Sequence, residues 1–323
     1  MEREQALQEF EERVRKILED FRDRMSRHLT DNGSLLESLV DEAVSRLGKE
    51  MKAKKKEYVG YLYGSVLKTD LLERRYRFFF HAMDLRWYLD ENPLEVGVDA
   101  KALFVPFDEV WDALTEESQD YKGMVNRYDI QNIMFAELQN MDALISALLR
   151  WRLRDWEKKK AFAELILSPY WIFKWGEYRD QSEFILQTDK VRKEEGLWEA
   201  ELKKARHKPE TLIFSYWYQG QFTGSHVQKT DMRFIVFDDC VLRDMDFKAC
   251  DLQGSRFPKS RLNGCGFDGC SLIGADFTDC ILEKVSFRGA DLTGALIPAE
   301  SVPFLNLDAD QFQCMIPVRK EET

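Results

Sequence analysis

The chain lacks most of the features that announce a chemistry. No apolar run approaches the roughly 18 residues of a membrane span, so none is expected. The opening stretch, MEREQALQEFEERVRK, is charged where a secretory leader would be apolar, and a cytoplasmic protein is the expectation. Histidine is scarce. His28, His81, His207 and His226 form neither an H-x-x-x-H nor an H-E-x-x-H spacing, which removes the common helical zinc sites. There is no G-x-x-x-x-G-K-[ST] phosphate loop and no G-x-S-x-G nucleophile turn. None of the six cysteines stands in a C-x-x-C pair. A polybasic block is also missing. Lys52-Ala53-Lys54-Lys55-Lys56 and Lys158-Lys159-Lys160 are short and read as solvated helix faces. With 58 acidic and 47 basic residues the net charge is −11, so no direct nucleic-acid binding is expected. The excess is spread out: residues 211–323 hold 16 acidic and 11 basic side chains, the remainder 42 and 36. No catalytic, cofactor-binding or metal-ligating set emerges, and an enzyme is not expected.

What the chain does have is a period of five. Phe222, Val227, Met232, Phe237, Leu242, Phe247, Leu252, Phe257, Leu262, Phe267, Leu272, Phe277, Leu282, Phe287, Leu292, Ile297, Val302, Leu307 and Phe312 are all apolar, in one unbroken register. Helices repeat every 3.6 residues and strands every two, so a five-residue unit is neither. A short extended piece followed by a turn fits, and such units coil into a solenoid. Two residues before each centre the side chain is small or apolar: Cys240, Cys250, Ser255, Ser260, Cys265, Cys270, Ala275, Cys280, Val285, Ala290, Ala295. Those cysteines read as small buried thiols. Two residues after the centre stand Gly224, Gly254, Gly264, Gly269, Gly274, Gly289 and Gly294, where a type II turn wants positive φ. Pro258, Pro298 and Pro303 fall one place earlier, where φ near −65° is wanted.

Ala275-Asp276-Phe277-Thr278-Asp279, Ala290-Asp291-Leu292-Thr293-Gly294 and Cys250-Asp251-Leu252-Gln253-Gly254 resemble the unit of the pentapeptide-repeat family. The resemblance covers about the last third of the chain. It implies a right-handed, four-faced β-helix with one coil per four pentapeptides. The alternation of Phe and Leu at the centres agrees, because like then stacks on like at twenty residues. The expected core ladders are Phe237, Phe257, Phe277; Phe247, Phe267, Phe287; Leu242, Leu262, Leu282; and Leu252, Leu272, Leu292. The two Phe faces should oppose each other across the core.

The expected fold class is α+β and multidomain: an N-terminal all-α helical domain (1–208), a quadrilateral pentapeptide-repeat β-helix (209–314) and a C-terminal tail (315–323). Leu7, Phe10, Val14, Ile17 and Phe21 lay one apolar stripe along a helix over 1–29. The stripe suits either a neighbouring helix or a second copy of the chain, so a homodimer through residues 1–30 is one expectation. Asp31-Asn32-Gly33 ends that helix. Ser34 and Glu37 form a candidate capping box for the next, with Leu35, Leu36, Leu39, Val40, Val44 and Leu47 on its buried side. The aromatic stretch Tyr58–Leu89 is read as further helix in the core, and Asp90-Glu91-Asn92-Pro93 breaks it. Residues 94–107 are extended or loop, and Asp108 starts a helix. Tyr128–Lys160 reads as helix. Ala161–Trp175 reads as a buried helix and turn interrupted at Ser168-Pro169, with a membrane-contacting hairpin as the other reading. Asp189–Lys208 reads as a last helix, against which the first coil docks.

Three functions follow. The first is a non-enzymatic protein-binding scaffold or adaptor, its partner unidentified. The second comes from the resemblance, since some pentapeptide-repeat proteins mimic DNA and modulate topoisomerases such as gyrase. The third is an enzyme or membrane-associated effector carried by the helical part.

Overall fold

The computed structural model describes residues 2–177, 181–194 and 196–319. The chain divides into two units, residues 1–187 and 188–323. A helical region precedes a β-solenoid of about five turns.

In the first unit α1 (Arg3–Asp31) and α2 (Gly33–Lys54) are joined at Asn32, whose side-chain amide donates to the His28 carbonyl at 2.8 Å. Ser34 therefore lies inside α2 and does not cap it, and Glu37 pairs with Lys159 at 2.5 Å. The α1 stripe is covered within the chain by α4 (Val105–Ser118) and α5 (Arg127–Arg152). Phe10 meets the edge of Tyr121 at 5.6 Å, and Phe21 meets Phe107 at 5.2 Å. Arg22 of α1 closes on Glu137 of α5 at 2.6 Å. Phe10, Val14 and Phe21 of the stripe are thus buried within the chain, while Leu7 and Ile17 stay half-buried.

The helices flank a five-stranded sheet, which the expectation of an all-α domain did not include. Its order is β3-β2-β1-β4-β5, with β1 Val59–Val66, β2 Arg77–Met83, β3 Leu94–Asp99, β4 Leu167–Glu177 and β5 Ser182–Asp189. β1 pairs antiparallel with β2 and parallel with β4. The aromatic stretch Tyr58–Leu89 supplies β1 and β2, with only α3 (Lys68–Leu72) and a 3-10 turn helical. Aromatic and β-branched side chains suit a pleated surface. In β1 nearly every residue is buried, so the two-residue alternation that marks a half-exposed strand is absent. Ala161–Trp175 is corrected likewise: it runs into β4. Ser168-Pro169 marks a bulge, since the pairing with β1 slips between Val59–Leu167 and Tyr61–Ile172. Trp171, Phe173 and Trp175 are buried, which leaves no apolar hairpin for a membrane. Among the described residues no helix is long and apolar enough to cross one. Of 94–107, the first part is β3. Of 128–160, the helix stops at Arg152, and of 189–208 only α6 (Leu197–Ala205) is α-helical.

The second unit opens with α6, which closes the first coil of the solenoid. Trp198 meets Trp217 and Phe222 at 5.2 Å and Phe237 at 5.7 Å, all edge to face. Above it the coils stack in parallel at a twenty-residue offset, Leu242 on Leu262 and Leu262 on Leu282. At the far end the register leaves the solenoid after Ile297. Val302 and Leu307 are only partly buried and Phe312 is exposed, because α7 (Ala309–Cys314) replaces the next strands. Gln311 of α7 donates to the Phe287 and Ala290 carbonyls at 2.6 and 2.8 Å, which satisfies the last open coil. Ile316–Val318, within the stretch expected as a tail, pairs with Leu296–Pro298. Residues 320–323 of that stretch lie outside the described residues.

Phe21→Ala removes a fully buried ring from the α1–α4 contact. It is expected to cost about 3–5 kcal/mol, read as a lower urea midpoint for the first transition. A midpoint equal to wild type would show that α1 is not part of this core.

Candidate functional site

The solenoid's inward side is filled and offers no chemistry. Phe237 and Phe257 stack at 5.5 Å, Phe257 and Phe277 at 4.6 Å. On the opposite face Phe247 and Phe267 stack at 5.1 Å, Phe267 and Phe287 at 5.5 Å. The two ladders touch edge to face across the core, at 6.1 Å for Phe257–Phe267 and 5.6 Å for Phe277–Phe287. Leu242, Leu262, Leu252, Leu272 and Leu292 are fully buried, and Leu282 partly so. Each such aromatic pair adds about 0.5–1.5 kcal/mol beyond its buried area.

The small inward column bonds to the coil below. Cys240 Sγ donates to the Trp217 carbonyl at 3.3 Å, Cys270 Sγ to Phe247 at 3.2 Å, and Ser260 Oγ to Phe237 at 2.7 Å. All six cysteines are free. Burial pushes the Cys240 thiol up to about 12 and raises Cys265. Contact with Cys250, together with burial, holds Cys270 up as well. Thiols kept protonated are poor nucleophiles. Contact with Cys270 moves the Cys250 thiol the other way, downward, so its protection rests on burial alone. Both side chains are buried, and Cys250 and Cys270 are expected to resist a thiol reagent until the solenoid is denatured. Rapid native-state labelling of either would contradict their inward placement.

The corners show a rule wider than the glycines suggest. The residue two places after the centre has positive φ at Phe214, Gln219, Lys229, Phe234, Asp239, Asp244, Ala249, Lys259 and Lys284, as well as at the glycines. A Cβ there is strained by about 1–2 kcal/mol. Ala249, exposed at φ 52°, isolates that strain. Ala249→Gly is expected to stabilise the solenoid by about 1 kcal/mol, read as a higher unfolding midpoint. A lower midpoint would show that the corner carries no strain.

The side chains able to meet a partner stand on the outward columns. Charges there pair along the solenoid, one coil to the next. Asp246 faces His226 at 3.3 Å, and Asp268 faces Arg288 at 2.7 Å. Arg233 holds Asp231 at 2.8 Å and reaches Asp251 at 3.7 Å. Glu283 accepts from Asn263 at 2.7 Å, and Asp239 from Gln219 at 2.9 Å. Ile273 and Ile281 are exposed among them.

The first unit contributes a second feature that sequence reasoning missed. Gln139, Asp142, Ala143 and Ser146 of α5 line a cavity of about 410 Å³ with Trp175, Gly176 and Glu177 of β4 and Gln181, Ser182 and Glu183 near the start of β5. The helical residues share one face at three- and four-residue spacing. Gly176 permits the close approach of the next strand, since a Cβ there would meet the Gln181 carbonyl oxygen at 2.3 Å. Asp142 is the floor. Its Oδ1 accepts from Trp175 Nε1 at 3.0 Å, and its buried Oδ2 has no partner. Burial drives its pKa up to about 7, against the Trp175 hydrogen bond, and Glu177 adds to the rise. Glu177 goes the other way: burial opposes its charge, but Lys68 at 2.6 Å and Gln139 at 2.9 Å hold it ionised. Arg150 holds Glu183 at 2.5 Å.

With this geometry in place, comparisons with known proteins bear on the solenoid. Residues 260–296 match the family model described as pentapeptide repeats, in 8 copies. No curated protein matches the chain. Among solved structures it is similar to a trypsin-treated form of QnrB1, a plasmid-mediated fluoroquinolone resistance protein. The two are 21% identical over 27% of this chain and 51% of that one, with a TM-score of 0.17. It is also similar to a pentapeptide repeat protein from Nostoc PCC 7120 (13% identity, 29% of this chain, 77% of that one, TM-score 0.20). A third is a pentapeptide repeat protein of the Arabidopsis thaliana thylakoid lumen (16%, 32%, 75%, TM-score 0.13). The chain spans about half the length of the QnrB1 forms it matches first. The C-terminal region is thus a pentapeptide-repeat β-solenoid.

Asp142 makes stability depend on pH. It keeps its proton to about 7 in the fold but loses it near 3.8 when unfolded, so folding takes up a proton between those values. Stability is therefore expected to fall as pH rises from 5 to 8, and Asp142→Asn should flatten the fall. Parallel pH profiles of thermal midpoint for the two proteins would show that Asp142 is ionised throughout.

Proposed function

We propose that this protein is a non-enzymatic scaffold or adaptor that binds another protein through the outward faces of its solenoid. One observation carries the reading: basic side chains are interspersed among the acidic ones on those faces, Arg233 against Asp231 and Asp251 and Arg288 against Asp268. A DNA mimic needs an uninterrupted array of negative charge facing a basic groove. Here Arg243, Lys248, Arg261, Lys284 and Arg288 stand exposed on the outward and corner positions. Each would meet that groove with the wrong sign. About five coils at about 4.8 Å also make a rod near 24 Å, short for duplex mimicry. A mixed-sign, flat face instead suits a protein surface, because complementary charges set register and exclude wrong partners. The inward side supplies rigidity and no reacting group. Six free thiols suit a reducing compartment, and a cytoplasmic setting is part of the reading. A second copy of the chain is not the proposed partner, since Phe10, Val14 and Phe21 of the α1 stripe are buried within the chain.

The test compares charge reversals on two different faces, Arg243→Glu with Arg261→Glu and Lys248→Glu with Arg288→Glu, in proximity capture from native cells. Loss of the same captured protein by one pair and not the other is the expected result. Capture unchanged by both pairs would defeat the scaffold reading. Inhibition of gyrase supercoiling by the purified protein would favour the topoisomerase reading.

A further inference from the structure

The solenoid region is acidic as a whole, yet one of its faces carries more base than acid. Gln221–Thr223, Val241–Arg243, Arg261–Asn263 and Ile281–Glu283 stack there as a parallel four-stranded sheet, where the other sheets of this unit have two strands. Side chains alternate along a strand, so with Phe222, Leu242, Leu262 and Leu282 turned inward the residues beside them point out. The charged ones are Arg243, Arg261 and Glu283, and Glu283 is engaged by the Asn263 amide at 2.7 Å. Lys259, at the corner leading into Arg261, adds a third cation. Lys259, Arg243 and Arg261 are exposed, and among the described residues none of the three lies within salt-bridge distance of a carboxylate. Other faces commit their guanidiniums, Arg233 to Asp231 and Asp251, and Arg288 to Asp268.

Acids nearby set the size of this basic patch. Asp239 and Asp244 bracket Arg243 on its own coil. Asp279 and Glu283 lie on the coil after Arg261, with Lys284 beside them. The coil between, from Pro258 to Gly266, has Lys259 and Arg261 and no acid. The positive patch is thus one coil deep. Val241 and Ile281 stand in register with Arg261 on either side of it, the isoleucine 43% exposed, so the guanidinium sits between two branched apolar side chains.

We propose that this face receives a short acidic segment of a protein partner, two or three carboxylates set among apolar side chains, taken by Arg261, Lys259 and Arg243. The inference rests on the scaffold reading and narrows it to one face and one kind of partner surface. A guanidinium can hold both oxygens of a carboxylate at once, which gives direction as well as attraction. Nucleic acid is the poorer fit, because phosphate charge continues along the strand and would run from the patch onto Asp239, Asp244, Asp279 and Glu283. A lone small anion would leave Val241 and Ile281 uncovered. Because the three cations are exposed, salt should screen the attraction, and a short peptide is expected to bind with about millimolar strength.

The experiment adds three probes to the full chain: a blocked Val-Glu-Ile-Glu-Val peptide, its Val-Gln-Ile-Gln-Val counterpart and a short oligothymidylate. NMR follows the arginine Nε–H signals, with Arg243, Arg261 and Arg288 assigned by their loss in the corresponding Arg→Gln variants. The expected result is movement of the Arg243 and Arg261 signals by the Glu peptide alone, with Arg288 still. Binding should weaken about tenfold or more when Lys259→Glu is combined with Arg261→Glu. No movement at about 10 mM peptide would overturn the proposal. So would equal movement with the Gln peptide, equal movement of Arg288, or oligothymidylate binding more tightly than the Glu peptide. Should the double reversal fail to fold, the wild-type pattern of moving and still signals decides. Failure here is distinct from failure of the scaffold reading: a captured protein lost only with Lys248→Glu and Arg288→Glu would sink this inference and leave that reading standing.

Discussion

A solenoid of twenty-residue coils must turn four corners per coil and still deliver its backbone N–H groups to the neighbouring coils. That requirement governs everything in the second unit. Val241 donates to Gly220, Asp246 to Ser225, Asp251 to Thr230 and Arg256 to Ile235, each at 2.9–3.0 Å. Other amides reach the opposite way, as Phe247 does to Gly266 at 2.7 Å. Such ladders survive only if the chain bends at the same place in every unit, which is why the corner residues hold φ near 50–68° whatever their side chain. Residues with a Cβ accept the strain because the ladder on either side leaves no other conformation, so local preference gives way to long-range pairing.

The solenoid's ends follow from the same requirement. An open coil would expose unpaired carbonyls and the apolar edge of its core, an invitation to another chain. Trp198 covers the aromatic end and Gln311 answers the carbonyls at the other. The two caps solve different halves of the problem, one by area and one by hydrogen bonds.

Legibility in the sequence divides along the same line. A period of five, repeated through Phe277 and Leu292, is a local signal with a single geometric solution, and the stacked ladders and small inward column could be read from it. The reading ran past the real end at Phe312, because an apolar residue in register looks the same whether its neighbours form a strand or a capping helix. The sheet of the first unit was illegible for a physical reason: β1 is buried on both sides, so it shows no alternation, and its aromatics resemble a helical core. The Asp142 site joins α5 to β4 across 33 residues, and no spacing rule spans that. A trace was present. Leu138, Asp142, Ile145 and Leu149 follow helical spacing, and a carboxylate inside an apolar stripe marks a buried charge.

Stacking at a fixed twenty residues also determines how such a rod tolerates changes in length. Gain or loss of one whole coil leaves every later side chain on the face it had, and the rod merely lengthens or shortens by one strand spacing. Gain or loss of a single pentapeptide turns each later outward column by a quarter revolution and sets later Phe centres over Leu faces. The interior ladders would break at that point, and a partner reading a row of charges would find the row broken at a right angle. Selection on this surface therefore acts on the count of repeats modulo four, a discrete variable, as well as on the identity of any residue.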